Sequence, residues 1–174
     1  GAILAVLLMY GKRLFSSWKY FRNIALAFIP TAIIGFVLYK VVKGFLLGNT
    51  LLAASVLVVG GIIIILYERK NAKRETDTWV DRKIESLTLW QYVTLGVAQA
   101  IAVIPGVSRS GAVIIAGRVM GIPKTTITEF SFVLAIPTII AATGYDLLKS
   151  GFGLTGNEWS LFILGALVAM VVAF

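Results

Sequence analysis

Eighteen consecutive residues, TLLAASVLVVGGIIIILY at 50–67, carry no charged side chain. A helix of about 20 residues crosses the hydrocarbon core of a bilayer. Inside that core no water satisfies the backbone, so the segment must bond to itself. Similar runs recur at 24–39, 125–147 and 160–174. Pro30 and Gly35 inside the first of these suggest a kink, which membrane helices tolerate. Gly60-Gly61 reads as a close-packing point between helices. The whole chain agrees, being 59% hydrophobic and only 14% charged, with a mean hydropathy of +0.93. Soluble domains are roughly half apolar and a quarter charged. The expected fold class is an all-α polytopic membrane protein.

The chain has no cysteine and no histidine, which excludes thiolate and imidazole chemistry within it. Its formal charge of +8 suits cytoplasmic loops better than nucleic acid. Residues 11–23 hold Lys12, Arg13, Lys19 and Arg22, and 68–88 hold six basic residues, against Lys40 and Lys43 in 40–49. The Lys/Arg bias therefore places 11–23 and 68–88 in the cytoplasm as loops and 40–49 on the other side. Residues 148–159 form a further outer loop, with Trp159 as an interface anchor. The ten apolar residues before Gly11 read as half a span, and the apolar close at Phe174 has no flanking anchor. Both ends are therefore expected to be cuts inside a larger single membrane domain.

Residues 89–104 and 111–122 are apolar but short for a span. Together, 89–122 suit a re-entrant hairpin that enters and leaves by one side; a full crossing by 89–104 would invert the later loops. Between its arms lies PGVSRSG, 105–111. Non-helical backbone at membrane depth must line protein or a polar cavity. Gly106 and Gly111 would let backbone N–H groups approach a ligand. Ser108 and Ser110 offer hydroxyls, and Arg109 a fork of donors matched to phosphate oxygens. A helix opening at Gly111–Ala112 would add its N-terminal dipole. Every element is a donor or a positive charge, so the loop reads as a phosphate or pyrophosphate cradle. An arginine inside the membrane is a functional signal by default, although a simple kink with a snorkelling arginine is the bland alternative.

Other polar residues are less specific. Glu129 either pairs with Arg109 or Arg118, orients the loop, or sits in the interface. Gln99 either bridges helices, as such residues more often do, or hydrogen-bonds a ligand. Asp146 and Lys149, three residues apart, read as a surface pair.

PGVSRSG, with Gly96 and Gln99 before it and Gly117, Met120-Gly121 and EFSFVLAIP (129–137) after it, closely resembles the bacterial undecaprenyl-diphosphate phosphatases of the bacitracin-resistance type. The resemblance covers essentially the whole chain. It implies an inverted-repeat helical bundle with re-entrant helix–loop–helix segments in the bacterial cytoplasmic membrane, its active site opening to the outer face. It implies hydrolysis of undecaprenyl diphosphate to the monophosphate, recycling the carrier for cell-wall synthesis. Arg109 and Ser108 then become catalytic, and Gly106, Val107, Ser110 and Gly111 bind phosphate. A divalent cation, Mg or Ca, is implied too, on glutamates expected before residue 1, with no metal ligand in this chain. The implied partners are the polyprenyl diphosphate and membrane lipids, no nucleic acid, and in some settings a second copy of the chain. A transporter or flippase for a lipid-linked anion is the alternative, because broken helices also serve alternating access.

Overall fold

Ser17 separates the first two helices. It is extended (φ −130°, ψ 116°), and its Oγ accepts from the Tyr20 amide at 3.4 Å. Helix α1 (Ala2–Ser16) ends there and α2 (Trp18–Val41) begins. The computed structural model describes residues 1–46, 48–71, 83–150 and 156–174. The loop expected at 11–23 is therefore helical on both sides of one residue. Lys and Arg are good helix formers; the basic cluster marks the end of an apolar run, while the backbone ladder continues through it.

Past Val41 the chain makes one wider helical turn, Val42–Leu46, before α3 (Thr50–Asn71). Of the loop expected at 68–88, Glu68–Asn71 belong to α3 and 72–82 lie outside the described residues. A short 3₁₀ turn, Ile84–Ser86, leads to α4 (Leu89–Ala100). Thr88 and Gln91 open α4 reciprocally: Thr88 Oγ1 accepts from the Gln91 amide at 3.3 Å, and Gln91 Oε1 from the Thr88 amide at 2.9 Å. A second 3₁₀ turn, Ile101–Val103, precedes the loop. Helices α5 (Arg109–Val119), α6 (Lys124–Ser150) and α7 (Gly156–Ala173) follow. Residues 151–155 of the expected outer loop lie outside the described residues. No strand occurs among those described. Three helical stretches, 18–44, 50–71 and 124–149, are long and apolar enough to cross a membrane. The protein is an all-α polytopic membrane protein.

Three levels of contact fix how the helices run. The Tyr20 hydroxyl donates to Glu129 at 3.5 Å, and the Tyr39 hydroxyl to Asp146 at 2.9 Å. Helices α2 and α6 are therefore parallel, with matching ends. Helix α4 follows α2 in the same direction. Asn23 Nδ2 donates to the Tyr92 hydroxyl at 2.8 Å, and Thr31 Oγ1 to the Gly96 carbonyl at 2.7 Å. The Tyr92 hydroxyl in turn donates to the Ile84 carbonyl. A Cβ on Gly96 would lie 1.9 Å from the Ala27 carbonyl oxygen, so the backbones of α2 and α4 touch there. By Val103, packed near Gly35, the chain is only part-way along α2. It then turns back. Gly117 of α5 lies against Ile127 of α6, and Lys124 Nζ comes within 3.5 Å of Glu68 Oε1 at the end of α3. The chain that leaves α3 at Asn71 thus returns to the same end of α3 by Lys124.

The core lies where α2, α4, α5 and α6 meet. Tyr20, Ile24, Leu95, Val113, Ile127, Phe130 and Leu134 are buried there. Gly60 and Gly61 are not part of it. No atom lies within 4 Å of a Cβ built on either, and α3 buries no residue. Small size permits a close approach without requiring one.

Candidate functional site

The loop at the hairpin tip begins as a tight turn. The Val107 amide donates to the Ile104 carbonyl at 3.1 Å, with Pro105 and Gly106 between them, and Gly106 has φ +94°. Proline then a positive-φ glycine is the signature of a type II turn. Gly106 is doubly constrained, since a Cβ there would stand 2.2 Å from the Ala53 carbonyl oxygen of α3. The turn is thus pressed against α3 at Gly106.

Helix α5 starts two residues earlier than expected, at Arg109. Ser108 is its N-cap, with Oγ accepting from the Gly111 amide at 3.1 Å and lying 3.4 Å from Ser110 Oγ. This cap settles which donors the loop has left. The amides of Val107 and Gly111 are committed to the turn and the cap. The amides of Arg109 and Ser110, in the first turn, have no intrahelical acceptor. The Ser108 hydroxyl accepts in the cap, which leaves its proton to donate elsewhere.

The Arg109 side chain lines a cleft of about 570 Å³ between α2, α4 and α6. Ser108 and Ser110 are not among the lining residues. No hydrogen bond or ion pair holds Arg109 among the described residues, and Glu129 is not its partner. Gln99, also in the wall, is buried and donates from Nε2 to Thr138 Oγ1 at 2.6 Å. Thr138 passes its own proton to the Leu134 carbonyl at 2.9 Å, so it must accept from Gln99. That fixes the amide, nitrogen toward Thr138 and oxygen the other way. Gln99 thus bridges α4 to α6 and faces the cleft at once. Phe28, Phe36 and Val103 supply apolar wall, while Tyr39, Tyr145 and Asp146 belong to the same lining. Asp146 does not pair with Lys149; it accepts from Tyr39 and lies 3.6 Å from Lys43 Nζ.

A second cleft of about 400 Å³ lies between α3 and α5, lined by Gly111, Arg118, Arg69, Glu68 and Lys124. Helix α5 thus separates two hollows, with Arg109 on one and Arg118 on the other. Among the described residues no three carboxylates gather in a metal-holding cluster.

Thr138, Tyr39 and Tyr145 were not evident as site residues in the sequence. Thr138 had one signal, a hydroxyl directly after Pro137 in an otherwise apolar span.

A family model described as bacitracin resistance protein BacA matches residues 1–174. The chain belongs to the bacitracin resistance protein family. Three members named undecaprenyl-diphosphatase illustrate the likeness. That of Aquifex aeolicus is 45% identical over 99% of this chain and 66% of its own length. That of Bdellovibrio bacteriovorus is 45% identical over 99% and 64%, and that of Thermus thermophilus 41% over 99% and 65%. The chain thus spans just under two thirds of the length of these family members. The matched residues include α4, the Ser108 cap and α5.

Proposed function

We propose that this chain forms part of an undecaprenyl-diphosphatase, hydrolysing the lipid diphosphate to the monophosphate. The observation that carries the proposal is Arg109: a cation held at the first position of a capped helix, lining a largely apolar cleft, with no protein partner among the described residues. Arg109 is exposed on that cleft, so its guanidinium is open to an anion, and the apolar wall suits an anion carried on a hydrocarbon chain. The printed names of the relatives agree with that chemistry.

In the reaction, oxygen attacks the terminal phosphorus and the bond from that phosphorus to the bridging oxygen breaks. The bridging oxygen leaves on the lipid monophosphate, and with water as the net reactant the second product is inorganic phosphate. Phosphoryl transfer asks chiefly for positioning and for stabilising charge on the equatorial oxygens. The Arg109 fork, the Arg109 and Ser110 amides and the Ser108 hydroxyl are the donors for that task. With water as the attacker all of these serve; with Ser108 Oγ as the attacker its proton is given up, and the Arg109 fork and the two amides remain as the donors. A divalent cation, if the whole protein uses one, would rest on residues other than those described. The proposed setting is the bacterial cytoplasmic membrane, with 89–122 re-entrant and the cleft opening to the outer face.

The test is phosphate release from undecaprenyl diphosphate by the purified whole protein in detergent, with Mg or Ca present and then chelated. Arg109→Ala should lose roughly 10³-fold in kcat while the melting temperature stays near wild type. Arg109→Lys should remain well below wild type, because a point charge cannot make the bidentate contact. No release by the wild type with metal present would overturn the hydrolase reading.

A further inference from the structure

Five side chains on the last turns of α2 and α6 and on the wider turn after α2 form one assembly. Lys43 Nζ donates to the Tyr39 hydroxyl at 3.1 Å, and that hydroxyl donates to Asp146 at 2.9 Å. Lys43 Nζ also lies 3.6 Å from Asp146 Oδ1. Lys149 Nζ sits 4.5 Å from the centre of the Tyr39 ring and 5.8 Å from that of Tyr145. The two rings meet edge to face at 4.9 Å. Tyr39, Tyr145 and Asp146 line the cleft that Arg109 lines, and each lysine rests on one of these lining residues.

Stability does not account for the arrangement. The Lys43 and Asp146 side chains are 50% and 61% exposed, and exposed pairs of this kind contribute little. What the assembly does is hold two ammonium groups in place. Charge bookkeeping then gives it a direction. Among the described residues Asp146 is the only acid in the cleft wall and would repel an incoming diphosphate. Lys43 cancels it, and Lys149 leaves the rim net positive. Arg109 is the only cation among the described residues of the wall. An anion therefore meets one net positive charge on this assembly and a second at Arg109 in the wall.

We propose that Lys43 and Lys149, fixed by Tyr39 and Asp146, form a capture rim for the diphosphate group of the substrate and set its affinity. The proposal rests on the diphosphatase reading and assigns the rim to that substrate's headgroup. It makes a sign prediction. Lys43→Gln exposes the Asp146 charge and should raise KM most, by roughly tenfold at low salt. Lys149→Gln should raise it less. Asp146→Asn keeps an acceptor for Tyr39, removes the repulsion and should lower KM. In all three, kcat should change by less than twofold, and the differences should shrink at high salt, where exposed charges are screened.

The experiment measures kcat and KM for a polyprenyl diphosphate with the whole protein in nanodiscs, at low and high salt, beside each variant's melting temperature. Opposite shifts for Lys43→Gln and Asp146→Asn support the rim. Unchanged KM values overturn it, and so does a common fall of kcat and melting temperature in all three variants, which is what a structural clasp would give. Equilibrium binding of a short prenyl diphosphate, read without turnover, separates this inference from the one beneath it. A wild type that binds the probe in a salt-dependent way lost in Lys43→Gln, yet releases no phosphate, keeps the rim and sinks the hydrolase reading. A wild type that releases phosphate and is matched by Lys43→Gln in both assays sinks the rim alone.

Discussion

Gly106 shows how one residue sets the height of the site. Its positive φ closes the turn after Pro105, and its missing Cβ lets the Ala53 carbonyl of α3 press against the loop. Any side chain there must unseat either the turn or α3. A left-handed conformation alone costs a non-glycine residue roughly 1–2 kcal/mol, and the 2.2 Å approach adds a clash with backbone, which cannot swing aside. Gly106→Ala should therefore lower the melting temperature in detergent and displace Arg109, cutting activity as well. Gly60→Ala is the control, since nothing lies within 4 Å of its added methyl. Alanine is favoured over glycine by about 1 kcal/mol in a helix, so this variant should melt at or above wild type. A Gly60→Ala variant that melts well below wild type would show that α3 has a close neighbour at that level.

At the scale of an element, the start of α5 joins folding to chemistry in one hydroxyl. Ser108 caps the helix through its lone pair, and under the proposed function its proton is a donor to the phosphate. The two roles separate by substitution. Ser108→Ala should lose roughly 1 kcal/mol of cap, Ser108→Gly only a few tenths, and Ser108→Asp almost nothing. Melting temperatures should follow that order. Activity should not: Ser108→Gly lacks the donor and Ser108→Asp brings a negative charge to an anion site, so both should be inactive though stable. Activity that tracks stability across the three variants would reduce Ser108 to a cap. Sequence alone showed the break and its residue types, because Pro, Gly and Arg between short apolar segments are local signals. It placed the helix start two residues late. The cap depends on where the backbone leaves the Pro105-Gly106 turn, and that point is fixed by the turn's hydrogen bond and not by residue type.

Across the whole molecule, the spans were legible because hydropathy is written along the chain, and the pairings were not because they join distant residues. Gln99 meets Thr138 and Tyr39 meets Asp146 through the parallel course of α2, α4 and α6. No periodicity in either segment announces that register. Asp146 and Lys149 looked like neighbours on one helix, but the nearer partners came from α2. The same register bears on topology. Lys124 stands 3.5 Å from Glu68, so the chain reaches α6 at the end of α3 from which it departed. With α3 and α6 each long enough to cross, 89–122 would then dip into the membrane and return. Single cysteines test this directly. One at Thr76, which lies outside the described residues, and one at Thr125 should react with an impermeant maleimide from the same side of sealed vesicles. One at Asn49 should react from the opposite side. Labelling of Thr76→Cys and Thr125→Cys from opposite faces would mean that 89–104 crosses fully. The Arg109 cleft would then have to open to the other compartment.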